Sequence, residues 1–172
     1  MTMTMSELSV PVLVRGLTVL GALLDKGEAH AAAAGVAPEA LLSARLAPDM
    51  LPLSAQVQSA CDTAKLAIQR LGGVTGPVFA NDETTFAQLR QRIAATIAYM
   101  ESVDTAAIDA SFGREIKLNW TATGPVFTAQ GYLLSFTLPN FFFHVTTAYD
   151  ILRHQGVSIG KSDYLGAYTH QE

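Results

Sequence analysis

The chain has 172 residues, a net charge of −4, 49 % hydrophobic residues and only 15 % charged ones. That length suits one domain over residues 1–172, and with no basic patch to meet phosphate a nucleic-acid partner is excluded. A single cysteine, Cys61, excludes a disulfide framework within the chain and suits a reducing cytoplasm, so the expected location is cytoplasmic.

Residues 1–6 read as a flexible start with no basic residue before the apolar run, which argues against a secretory signal. Apolar runs such as Ala31–Ala34 fall far short of the roughly 20 residues that span a bilayer, so no membrane is expected. The first long helix is predicted over Ser9–Ala34, where Leu13, Leu17, Leu20 and Leu24 recur at helical spacing. Ser9 is a capping residue, Pro11 falls in the first turn, and Gly35 is the stop. A short helical turn follows over Pro38–Leu46. The second long helix is predicted over Leu51–Leu71, with Val57, Ala60, Cys61, Ala64, Ile68 and Leu71 on one apolar stripe and Gly72-Gly73 ending it. Val74–Glu83, with Gly76-Pro77, reads as a loop.

The third helix begins at Thr84 or Thr85, where Thr85 and Gln88 fit a capping box, and ends near Ser102-Val103. Phe86, Leu89, Ile93, Ile97 and Met100 form its inward face. Between Arg114 and Thr128 the period changes to two: Ile116, Leu118 and Trp120 alternate with polar residues, a turn follows at Ala122–Pro125, and Val126–Thr128 pairs back as a hairpin. The fourth helix spans Gly131–His154 and closes at Gly156, leaving an irregular tail from Val157 to Glu172 of which residues 167–172 are expected to be flexible. Four helices with one apolar stripe each predict an all-α, antiparallel four-helix bundle with a small β-hairpin before the last helix.

The most informative stretch is Pro139-Asn140-Phe141-Phe142-Phe143-His144 inside that fourth helix. Proline in a helix interior removes a backbone hydrogen bond and clashes one turn back, at a cost of roughly 3 kcal/mol, so a kink is predicted that frees the carbonyl of Ser135. Asn140 and His144 follow at i and i+4 and share one face, predicted to point into the bundle. His144 has two readings: a buried histidine satisfied by a polar group of the second helix, or a ligand-binding or catalytic group. Its ordinary pKa near 6.5 suits a general base. Gln56, Gln58, Asp62 and Lys65 of the second helix are its possible partners, with Gln58 and Asp62 nearest by topology. His30 and His154 sit at helix C-termini, where a cation meets the helix dipole, and His170 lies in the tail. Arg45 and Asp49 are expected to form a local ion pair or a cap, and Cys61 reads as a buried, inert thiol. No HxxxH, HExxH, GxSxG or phosphate-loop pattern is present.

Several segments together carry a resemblance: Ala44–Met50, Gln56-Val57-Gln58, Asp62-Thr63-Ala64-Lys65, Pro139–His154 and Gly160–Gly166. With them the chain resembles, from about Val10 to Gly166, the bacterial domain-of-unknown-function family numbered nineteen ninety-three, within the DinB-like four-helix bundles. The resemblance implies that bundle fold, frequent dimerisation, and a superfamily of metal-dependent hydrolases or transferases. It also implies a metal site of one histidine from the second helix and an HxxxH pair from the fourth. Here His144 matches the second histidine of the pair, Asn140 stands at the first position, and the second helix has only Gln58 to Asp62 in the corresponding stretch. An amide is a poor ligand for zinc or nickel. No metal or other cofactor is therefore expected, with a divalent ion the disfavoured alternative. The expected function is a bundle with a polar pocket lined by Asn140, His144, Gln58 and Asp62, binding a small molecule at a degenerate metal site. One alternative is a non-catalytic homodimeric structural or stress-related module, for which the high hydrophobic and low charged content suggests a buried interface. The other is a metal-dependent hydrolase or transferase.

Overall fold

The computed structural model describes residues 3–118 and 124–167. Helix α1 runs Met5–Ala34, α2 Pro38–Ser43, α3 Leu53–Gly72, α4 Phe86–Ser102 and α5 Thr105–Asp109. Strands β1 (Glu115–Lys117) and β2 (Val126–Thr128) follow, then α6 (Ala129–Gly131), a π-helical segment at Tyr132–Thr137, α7 (Leu138–His154) and α8 (Lys161–Leu165). The four long helices form the bundle. α1 packs on α4 and α7, and α3 packs on the same two, so α1 and α3 are diagonal across the core. The link through α2 and the link through α5 and the hairpin therefore each cross a diagonal, while the loop from α3 to α4 joins neighbours.

Local signals set the helix ends. α1 starts earlier than predicted, because Thr4 and Glu7 form a capping box: Glu7 N–H donates to Thr4 Oγ1 at 3.3 Å and Thr4 N–H donates to Glu7 Oε2 at 2.8 Å. Met5 and Ser6 are consequently buried, contrary to the expected flexible start, and Ser9 Oγ donates back to Met5 O at 2.7 Å instead of capping. The Ser6 N–H donates to Asp109 Oδ1 at 2.7 Å, so α5 closes the N-terminus of α1. Gly35 ends α1 and Gly73 ends α3, both at positive φ (65° and 66°), where a side chain would be strained. The Thr85–Gln88 capping box starts α4 as read from the sequence.

The core is one cluster, with Leu13, Leu17, Leu20 and Leu24 of α1 against Val57, Ala60, Ala64 and Ile68 of α3 and Phe141, Val145 and Leu152 of α7. Gly16 lets α7 approach closely: a Cβ there would lie 2.4 Å from the Phe141 ring. α1 is, against the sequence reading, long and apolar enough to cross a membrane by length and composition, with a mean hydropathy of 1.6 in its most apolar window. Its leucines are instead the core of the bundle.

β1 and β2 pair antiparallel, Ile116 opposite Phe127, as the period change predicted. Trp120, the Ala122-Thr123 part of the turn, and His170 lie outside the described residues. The tail is not wholly irregular, since α8 docks on α1 through Lys26 Nζ to Asp163 Oδ1 at 2.6 Å and Arg15 Nη2 to Leu165 O at 2.5 Å. Arg45 does not pair with Asp49 among the described residues; its Nη1 donates to Met50 O at 3.0 Å.

The fourth helix absorbs Pro139 in a different way from a simple kink. The preceding turn widens, with Leu138 N–H bonding Leu133 O, a five-residue step. Widening moves the carbonyls one turn back away from the proline ring, which has no N–H to offer them. Leu134, Ser135 and Pro139 are exposed, so water can serve the freed groups.

Candidate functional site

An open pocket of about 240 Å³ lies between α3 and the π–α7 helix, lined by Ser59, Asp62, Thr63, Leu66, Arg70, Tyr132, Phe136, Asn140 and His144. Its α7 wall is a stripe at four-residue spacing, Tyr132–Phe136–Asn140–His144, and its α3 wall is the face through Ser59, Thr63, Leu66 and Arg70. The hairpin supports one end: Phe127 packs 6.3 Å from Tyr132 and 6.2 Å from Phe136, which stack on each other at 5.8 Å.

His144 is oriented from α3. Its Nδ1 lies 2.7 Å from Gln56 Oε1, and the Gln56 amide is itself fixed by its Nε2 donating to Leu51 O at 3.2 Å. Gln56 Oε1 can only accept, so Nδ1 carries the proton and Nε2 is the basic nitrogen. Burial lowers the His144 pKa from its ordinary value, keeping the ring neutral. Asn140 Nδ2 donates to Thr63 Oγ1 at 2.8 Å, leaving its Oδ1 as an acceptor at the pocket wall. At the other end Arg70 Nη1 donates to Tyr132 Oη at 2.7 Å, its guanidinium 5.5 Å from that ring's centre. Arg114 Nη2 donates to the Arg70 and Leu71 carbonyls at 2.5 and 2.6 Å, closing the end of α3.

The sequence reading thus brought Asn140, His144 and Asp62 to one pocket but misplaced Gln58. Gln58 is two positions from Gln56, roughly 200° around the helix, and faces α4. There its Nε2 donates to Glu83 Oε2 at 2.9 Å. On this second face Arg92, with 1 % of its side chain exposed, binds Asp62 Oδ2 and Glu83 Oε1, each at 2.9 Å, and its guanidinium stacks 4.5 Å from the Phe79 ring. Lys65 joins Asp62 at 2.9 Å and lies 5.1 Å from the same ring. Desolvation raises the Glu83 pKa, but the Arg92 hydrogen bond, the backbone and Gln58 together outweigh it and hold Glu83 below the usual carboxylate value. Cys61, buried beside Thr96 and Arg92 of α4, has its pKa pushed up to about 12 by burial.

Sequence reasoning named Gln56 among the possible partners of His144 but placed Gln58 and Asp62 nearer, and it missed Arg92, Arg70, Tyr132 and Phe136 altogether. The four-residue spacing leading to Asn140 was the available signal for Tyr132 and Phe136. Nothing local marks Arg92, whose partners lie 9 and 30 positions away in sequence.

The resemblance implied a metal at Asn140 and His144, and the donors here do not fit one. Among the described residues no three His, Cys, Asp or Glu side chains converge. One imidazole, its Nδ1 bound to an amide, and an asparagine bound to a threonine are a poor set for a transition metal.

The long helices, with the hairpin before the last of them, make an all-α, DinB-like four-helix bundle. Residues 5–165 match the family described as domain of unknown function DUF1993, and the chain belongs to that family. It is also similar to the crystal structure of a DinB family member protein from Shewanella denitrificans. The two share 42 % identity with a TM-score of 0.90, over 97 % of this chain and 94 % of that one. No curated protein matches the chain.

Proposed function

We propose that the protein binds a small polar molecule in the α3–α7 pocket without a resident metal, with His144 as its central polar group. The observation that carries this reading is the Gln56–His144 hydrogen bond of 2.7 Å, anchored in turn at Leu51 O. A histidine held in one tautomer and kept neutral by burial has its Nε2 lone pair ready to accept a ligand hydrogen or to take a proton as a general base. The reading is tested by ¹⁵N NMR of the imidazole and by elemental analysis of untagged protein. The Nδ1–H tautomer near neutral pH and no stoichiometric transition metal are the expected results. One tightly held metal per chain, lost in His144→Ala, would overturn the reading and restore a metalloenzyme.

A second reading is a homodimeric binding or structural module. It is favoured by large apolar side chains left outside: Phe112, Val126, Leu134 and Phe143 are 68 %, 55 %, 44 % and 55 % exposed. Light scattering at micromolar concentration decides it, a monomer alone being the adverse outcome. The buried free thiol of Cys61 suits a reducing compartment such as the cytoplasm.

A further inference from the structure

We propose that the ligand of this pocket is a small carboxylate with a flat apolar body, its carboxylate held by Arg70; the inference rests on the pocket reading above and names its chemistry.

The argument is one of charge. Apart from the Tyr132 phenol, the ionisable side chains that line the pocket are Asp62, Arg70 and His144. Asp62 is matched twice, by Lys65 and by Arg92, each at 2.9 Å. His144 is neutral. Arg70 is left as the unmatched charge, because among the described residues no carboxylate stands within ion-pair distance of it. Its one side-chain hydrogen bond goes to a neutral phenol, Tyr132 Oη at 2.7 Å. The guanidinium is therefore held in place without a counter-charge, and half-burial makes that lack more costly than at a free surface. The planar fork of arginine matches a carboxylate through two parallel N–H···O bonds, which fixes orientation as well as charge.

Shape agrees. Beside Arg70 stand Leu66 and Phe136, whose ring stacks on the buried Tyr132 ring with planes 20° apart, an apolar wall. Beyond it come the Asn140 amide and His144. A volume of about 240 Å³ lies below the range of about 300–1,000 Å³ usual for larger ligands, so a single ring with one acid group fits better than a nucleotide.

The probes are benzoate and its neutral isostere benzamide, measured by calorimetry and by the NMR shifts of Asn140 and His144 in the full chain. Benzoate should bind at least about tenfold more tightly than benzamide. Arg70→Gln should bring benzoate down to about the benzamide level and weaken benzamide far less, and Arg70→Lys, which keeps the charge but not the fork, should leave benzoate between wild type and Arg70→Gln. Equal affinity for the two probes, or benzoate binding indifferent to Arg70→Gln, would overturn the carboxylate inference while leaving the pocket intact. If neither probe moves the Asn140 and His144 resonances at millimolar concentration, the pocket reading fails with it. Should Arg70→Gln fail to fold, the wild-type benzoate–benzamide ratio and Arg70→Lys decide alone.

Discussion

The two sides of α3 make opposite use of polar side chains. Toward α4, Asp62, Lys65, Glu83 and Arg92 form a set closed in charge, each meeting an opposite charge at 2.9 Å, with Arg92 Nε the donor left without a hydrogen-bond partner. Toward α7, Asn140 and His144 each spend one hydrogen bond on α3 and keep another valence at the pocket wall. Closure makes a fastener: the α4 side clamps the loop carrying Phe79 and Glu83 onto the bundle. Incompleteness is what the proposed site requires, because groups oriented by one bond and short of a second can still accept a ligand. Asp62 belongs to both, lining the pocket while its charge is answered on the other side.

The strongest way to break the comparison is Arg92→Met. It removes the cation shared by Asp62 and Glu83 and leaves a largely buried carboxylate without its partner. A loss of about 3 kcal/mol is expected, since removing one member of a buried pair typically costs 3–5 kcal/mol and Asp62 keeps Lys65. Urea denaturation measures it; a loss under about 1 kcal/mol would mean that the cluster behaves as surface ion pairs do.

Next comes close packing on the α1–α7 side, which neither polar face should feel. Gly16→Ala drives a methyl to 2.4 Å from the Phe141 ring. Overpacking of this kind costs about 1–3 kcal/mol, visible as a lower melting temperature with unchanged probe binding in the pocket. On the pocket face, Thr63→Val removes only the acceptor of the Asn140 amide. A loss of about 1 kcal/mol is expected, with a larger effect on ligand binding than on stability; unchanged binding would remove Asn140 from the site.

The smallest effect is the pH dependence, which separates the two faces. The His144 pKa is depressed by burial, so the unfolded chain takes its proton more readily than the folded one. Its contribution is full above the ordinary value of 6.5 and is lost as pH falls through that value toward the folded one. Glu83 is depressed too, so its contribution is full above 4.5 and is lost only below that. Melting temperature against pH should show two steps on acidification. The first should vanish in His144→Gln, and the second should shrink in Glu83→Gln, because Asp109 and Asp163 are held below the usual carboxylate value as well; a first step that survives His144→Gln would put its origin elsewhere.

The fold was legible because its signals are local. Leucines at helical spacing, Gly35 and Gly73 at the helix ends, the Thr85–Gln88 box and the period change at Ile116 each act within a few residues. α5 was missed although Asp104 caps it, accepting from Ala106 N–H at 3.0 Å. A five-residue helix carries no periodic stripe to notice. The site was half legible. Spacing put Asn140 and His144 on one face, but choosing Gln56 over Gln58 needs the rotation of α3 about its axis. That rotation is set by the whole apolar stripe from Val57 to Leu71 against α7, not by either glutamine. Arg92 was illegible for a related reason: within α4 it stands beside Ile93 and one turn from Thr96, and only the loop folding back with Glu83 shows that its charge is buried.

The seclusion of Cys61 gives the molecule a built-in clock. It is the one cysteine of the chain and has no exposed surface, and with a thiol pKa pushed up to about 12 it holds almost no thiolate at neutral pH. A disulfide reagent can therefore mark the protein only while α3 and α4 are parted, and the labelling rate at low denaturant counts those openings directly.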